Sequence, residues 1–193
     1  MSSALRYTAT LCLLVSVFAC AKANVYYPDS SSFNATTSGS LDNAQIYRDK
    51  VIQLKQVLVA LSETVDKTEA LLVAETAVRE SAVLAEEYQL VRPAVAHNLL
   101  VVVGLRDRGL CYHWTEDLMK RLQALKLKSL RLHWAVAHRG SKLREHNCVV
   151  ITAKEQRFFE GIVLDPWRNS GNLYWAQVAK DQYPWKLLPP SDW

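Results

Sequence analysis

The chain has 193 residues, half of them apolar, and a formal net charge of +4. That suffices for one core with attachments, or for two small domains. Basic residues alternate with acids, as in Lys142, Arg144, Glu145 and Lys154, Glu155, Arg157, and the lack of a long cationic run argues against a nucleic-acid partner.

Residues 1–19 read as an export signal. Arg6 precedes an uncharged stretch from Ala9 to Ala19, too short to remain as a membrane span. Val17-Phe18-Ala19-Cys20 resembles a bacterial lipoprotein signal. The resemblance implies lipidation of Cys20 as the first mature residue, and the attached chains would hold the protein to a membrane at ~0.8 kcal/mol per buried methylene. Ala21, where an inner-membrane retention signal usually carries Asp, points to the outer membrane. Cleavage at Ala21-Lys22-Ala23 is the alternative, and it gives a periplasmic or secreted protein. Either way Cys12 is removed and Cys20 is lipidated or lost, so Cys111 and Cys148 remain. In an oxidising compartment they form either a disulfide or two separate thiols.

Residues 20–40 are rich in Ser and other small polar groups and read as a flexible tether. Residues 41–92 contain no Gly and no Pro. Tyr47, Val51, Leu54, Leu58, Leu61, Val65, Thr68 and Leu72 recur at alternating steps of four and three, which is a heptad seam on a helix. The register slips near Glu75, where Leu71, Ala74, Val78 and Ala85 suit the face better. Either one long helix bends there, or two helices form a hairpin near Ser62–Asp66. The seam packs on its own domain, or it meets a helical partner or a second copy of the chain.

Residues 93–193 differ in kind, and all six Trp lie among them. Pro93 suits a helix start, and Ala94–Val103 reads as a short helix, or as a buried strand, ended by Gly104. Thr115–Leu127 reads as a helix with Leu118, Leu122 and Leu125 on one face. Strands are expected over Leu130–His138, Asn147–Thr152, Phe158–Leu164 and Leu173–Val178, followed by an irregular tail. A helix followed by antiparallel strands gives an α+β class.

Three residues carry the chemistry. Cys111 lies at a helix start within Arg-Gly-Leu-Cys-Tyr-His-Trp (108–114), where unpaired N–H groups favour a thiolate and can donate to an oxyanion. Gly109 allows close approach of a substrate to the backbone. His146 opens a strand in Glu-His-Asn-Cys-Val-Val-Ile (145–151) and can take the thiol proton and return it to a leaving group. Asp165 ends the next strand in Gly-Ile-Val-Leu-Asp-Pro-Trp-Arg (161–168) and can fix the ring's tautomer. Alternation along the strand puts His146 and Cys148 on one face and Asn147 on the other. His113, His133 and His138 match no metal-ligand spacing, so neither a metal nor another cofactor is expected. Trp134, Trp167 and Trp175 are packing residues, with one or two able to line a cleft.

The segment from Arg108 to Trp175 resembles the transglutaminase-like group of the papain-like cysteine enzymes. The pattern is a cysteine at a helix N-terminus, a histidine on one strand and an aspartate on the next, here with Leu-Asp-Pro at the aspartate. The resemblance implies a helix packed on an antiparallel sheet and a Cys111–His146–Asp165 site that cleaves or transfers acyl groups of a peptide or protein substrate. The family often has His-Ala-Trp where this chain has His146-Asn147-Cys148. Its oxyanion side chain has no evident counterpart, Arg106 and Trp134 being the nearest choices. The rival reading is a non-catalytic envelope lipoprotein that binds or assembles through its helical segment.

Overall fold

The computed structural model describes residues 37–193. The signal, Cys20 and most of the expected tether lie outside the described residues. The first helix, α1 (Thr37–Val59), starts within the last four residues assigned to the tether. A helix, once nucleated, extends at one hydrogen bond per added residue.

Of the two arrangements open for residues 41–92, the structure takes the hairpin. Helix α1 turns back into α2 (Lys67–Glu87), and Asp66 caps the second helix by accepting from the Thr68 and Glu69 amides at 2.7 and 2.9 Å. The turn resets the helical phase. Val51, Leu54 and Leu58 are buried on α1, whereas α2 buries Ala70, Val73, Ala74, Ala77, Val78, Leu84 and Ala85 and turns Thr68 and Leu72 outward. The small residues on α2 let α1 approach closely on one side and the helix over Cys111–Gln123 on the other. Glu69 ties the turn to the sheet by accepting from the Ser129 amide and hydroxyl at 2.8 and 2.6 Å.

Helix α3 (Ala94–Val102) follows Pro93. It buries only Ala94 and His97, and Val95, Leu99 and Val102 face outward. His97 is fully buried and joins two linkers. Its Nδ1 accepts from the Val91 amide at 3.2 Å, and its Nε2 donates to the Arg108 carbonyl at 2.9 Å.

Helix α4 runs over Cys111–Gln123, one turn earlier at both ends than the periodicity of Leu118, Leu122 and Leu125 predicts. His113 sets the start: its Nδ1 accepts from the amides of Gly109 and Leu110 at 3.1 and 3.2 Å. Lys126, with φ at +53°, ends the run. Trp114, Leu118, Met119 and Leu122 form the buried stripe.

Five antiparallel strands follow: β1 (Leu130–Ala137), β2 (His146–Ala153), β3 (Ile162–Asp165), β4 (Tyr174–Gln177) and β5 (Lys186–Leu188), in the spatial order β4-β3-β2-β1-β5. The expected strand at Phe158–Leu164 is shorter. Phe158–Glu160 is a 3₁₀ turn, held by Glu160 accepting from the Arg157 amide at 2.9 Å. The tail read as irregular contains β5, which pairs with the β1 edge at Trp134↔Leu188 and Val136↔Lys186. Pro184 and Pro189 bracket it, which keeps it short.

The class is α+β. One sheet face packs Val149, Ile151, Ile162 and Leu164 against Trp114, Leu118 and the hairpin. The other holds Ala135, Cys148, Val150, Val163, Val178 and Trp185. All eight residues of β2 are buried, so this strand is the spine of the fold. No helix among the described residues is long and apolar enough to cross a membrane.

Gly109 serves packing rather than the substrate approach expected from its position. Its φ is +131°, and an added Cβ would stand 2.3 Å from the His97 ring. Gly109→Ala is expected to cost about 3 kcal/mol or more, combining left-handed strain with overpacking. Gly104→Ala, at φ +76° with open space around it, should cost about 1 kcal/mol. Urea unfolding of the two variants measures both, and equal costs would mean that the His97 contact contributes nothing.

Candidate active site

The sheet register brings the three chemistry-bearing residues to one end of the fold. His146 opens β2 opposite Ala137, and Asp165 closes β3 opposite Tyr174. The two strands pair at Val149↔Leu164, so both side chains emerge at the same rim. His146 Nε2 lies 2.6 Å from Asp165 Oδ2, and both residues are buried. Cys111 is half-buried at the first turn of α4, where helix amides lack intrahelical acceptors. Its Sγ donates to the Glu145 carbonyl at 3.8 Å and accepts from Asn147 Nδ2 at 3.9 Å.

A carboxylate with no exposed surface needs compensation. Asp165 obtains it from Arg168, whose amide donates to Oδ1 and whose Nε donates to Oδ2, both at 3.1 Å. The guanidinium then donates to both oxygens of Asp181 at 2.9 Å, and Trp185 Nε1 donates to Asp181 at 3.0 Å. Tyr174 and Tyr183 flank the guanidinium at 3.9 and 4.8 Å. Burial pushes the Asp181 carboxyl up, but the bonds from Arg168 and Trp185 hold it below the usual range.

The imidazole is enclosed by aromatic rings: Trp167 and Tyr183 at 4.8 Å and Trp185 at 5.4 Å. Burial alone would push His146 down. The bond to Asp165 and the neighbouring Cys111 outweigh it and raise the pKa to about 9. With Nε2 engaged by Asp165, Nδ1 is the nitrogen left for the sulfur. The histidine therefore sits between an acid and a thiol, which are the partners a proton carrier requires.

A cleft of about 440 Å³ opens over Cys111 and His146, walled by Val95, Asn98, Leu143, Trp167 and Tyr183. A second hollow of about 390 Å³, walled by Tyr112, Leu143 and Asn147, adjoins the same cysteine. Cys111 thus stands where the two meet.

The other singled-out residues lie elsewhere. Cys148 is not bonded to Cys111: it is buried on the far sheet face, and burial pushes its thiol up. His113 caps α4, His133 bonds Thr152 Oγ1 at 3.0 Å, and His138 lies 3.5 Å from Arg144. Among the described residues no group of three or more His, Cys, Asp and Glu could hold a metal ion. Arg106 lines a different pocket, beside Tyr88 and Arg108. Trp134 Nε1 donates to Asn147 Oδ1 at 2.8 Å and so reaches the cysteine only indirectly. Arg168, Asp181, Tyr183 and Asn147 were not evident as site residues. The first three carry no motif, though Arg168 lies three residues past Asp165 in the stretch that includes Leu-Asp-Pro.

The raised histidine pKa gives folding stability a definite pH dependence. The native ring holds its proton up to about 9, whereas an unfolded histidine releases it near 6.5. The contribution is complete below the unfolded value and falls by about 1.4 kcal/mol per pH unit until the native value is passed. The stability advantage of the wild type over His146→Phe should therefore be full at pH 6 and shrink toward pH 9. Denaturant titrations across that range measure it, and a constant difference would contradict the ion-paired histidine.

No family model, curated protein or solved structure matches this chain, and the arrangement's own chemistry is what bears on its function.

Proposed function

We propose that the protein is a thiol-dependent acyl-cleaving or acyl-transferring enzyme with a transglutaminase-like Cys111–His146–Asp165 site, acting on an amide or peptide bond. The observation that carries the reading is the buried 2.6 Å bond between His146 and Asp165, with Cys111 beside the ring at a helix start. Structural ion pairs are common in cores, but this one opens into a cleft that also contains a half-buried sulfur.

The proton rests on His146, whose imidazolium Asp165 stabilises through Nε2, and Cys111 reacts as the thiolate paired with it. The sulfur attacks the carbonyl carbon, and the carbonyl π pair moves onto oxygen. Collapse of the tetrahedral intermediate breaks the C–N bond, and His146 hands its proton to the leaving amine. A thioester on Cys111 remains. Water then attacks it, with His146 taking the water proton and returning it to the sulfur, and an acid is released. An amine in place of water gives transfer. Hydrolysis is the first choice because no acceptor site is evident. The export signal and Cys20 fit a lipid-anchored protein of the cell envelope, and mass spectrometry of the mature N-terminus tests this.

Cys111→Ala is expected to abolish turnover of a peptide p-nitroanilide while the fold survives, as read by circular dichroism. Asp165→Asn should lower turnover by up to about 10⁴-fold if the carboxylate fixes the ring as in serine triads. Equal turnover by wild type and Cys111→Ala would end this reading and leave the non-catalytic lipoprotein in its place.

A further inference from the structure

Asn147 occupies an unusual position for a residue between two strand neighbours. His146 and Cys148 face the aromatic side of the sheet, and Asn147 faces the helices, as alternation along β2 requires. The sheet rim lies just under the first turn of α4. A side chain on either face there reaches the same sulfur, His146 from one side and Asn147 from the other.

Asn147 is only 7% exposed, and the orientation of its carboxamide is fixed by a partner that can only donate. The Trp134 indole N–H gives its hydrogen to Asn147 Oδ1 at 2.8 Å, which identifies the oxygen end and turns Nδ2 toward Cys111 Sγ at 3.9 Å. Trp134 is itself held on β1 by the ladder to β2 and by the Trp134↔Leu188 pairing with β5. The result is a neutral, preorganised N–H pair directed at the nucleophile from a nearly dry position.

We propose that Asn147 Nδ2 is one donor of an oxyanion site, with the Cys111 backbone amide as the other, and that Trp134 is the positioning residue that aims it. The assignment rests on Cys111 being the nucleophile. When the sulfur bonds to a carbonyl carbon, the carbonyl oxygen comes within reach of donors already directed at the sulfur. A helix-start amide alone gives one hydrogen bond, and the carboxamide supplies a second without adding a charge. Donors of this kind act at the moment charge develops and need no reorganisation.

Two reactions at Cys111 separate this role from simple support of α4. Acylation by p-nitrophenyl acetate passes through a tetrahedral oxyanion: the sulfur bonds to the acetyl carbon, p-nitrophenolate leaves, and a thioacetate remains. Alkylation by iodoacetamide displaces iodide at a saturated carbon and forms no oxyanion. Asn147→Ala is expected to slow the acylation burst by about 10²–10³-fold, the range seen for loss of one oxyanion donor, while alkylation stays near the wild-type rate. Trp134→Phe keeps the donor but frees its orientation, so it should slow acylation less, again sparing alkylation. Acylation unchanged in Asn147→Ala, or acylation and alkylation falling together in both variants, overturns the assignment. Should Asn147→Ala not fold, Trp134→Phe decides by the same comparison. Absence of any burst in the wild type, with Cys111 still alkylated, would instead refute the thiol-enzyme reading on which the assignment rests.

Discussion

A negative charge with no access to water governs this fold. Asp165 is fully buried at the end of β3, and its environment is built around that cost. Arg168 neutralises it from three residues along the chain, Asp181 balances Arg168, and Trp185 and Tyr183 close around both. These groups come from the β3–β4 turn and from the segment between β4 and β5. The C-terminal third of the chain therefore converges on one carboxylate. Its ring partner, His146, is held by the bond to Asp165 Oδ2 and by the three aromatic rings packed around it.

The thiol is set by a separate group of contacts. Gly109 lies against His97, His97 joins the α2–α3 and α3–α4 linkers, and His113 accepts the amides just before Cys111. Tyr88, the C-cap of α2, donates to Asp117 on α4 at 2.5 Å, and Arg108 bonds the same carboxylate at 3.0 Å. The helical hairpin is thus part of what locates the sulfur, not an appendage to the sheet. Its apolar face and the sheet share one core.

Much of this was legible in the residues. The absence of Gly and Pro through 41–92 and the phase slip near Glu75 are local signals, and a hairpin near Ser62–Asp66 was one of the two arrangements they allowed. The strands expected over Leu130–His138, Asn147–Thr152, Phe158–Leu164 and Leu173–Val178 overlap β1, β2, β3 and β4 in turn. Cys111, His146 and Asp165 stood out because their residue types and local contexts matched one chemistry. What stayed hidden was non-local. The start of α4 depends on His113 accepting two amides, which competes with any reading based on Leu118 and Leu122 alone. Strand β5 is three residues long between prolines and exists through pairing with β1. Asn147 was placed correctly on the face opposite His146, yet only the overlap of α4 with the sheet rim brings it to the sulfur. Gly109 was read as room for a ligand, and the room is filled by His97, a residue that carried no pattern.

The ring of Trp167, Tyr183 and Trp185 around His146 leaves the imidazole open toward the sulfur and closed on its flanks. On the proposed mechanism, a thioester on Cys111 would be open to both hollows that meet at the sulfur, one walled by Trp167 and Tyr183 and the other by Tyr112 and Asn147. Water and an amine acceptor could then arrive from different sides, and the partition between hydrolysis and transfer would depend on which hollow the first product leaves occupied.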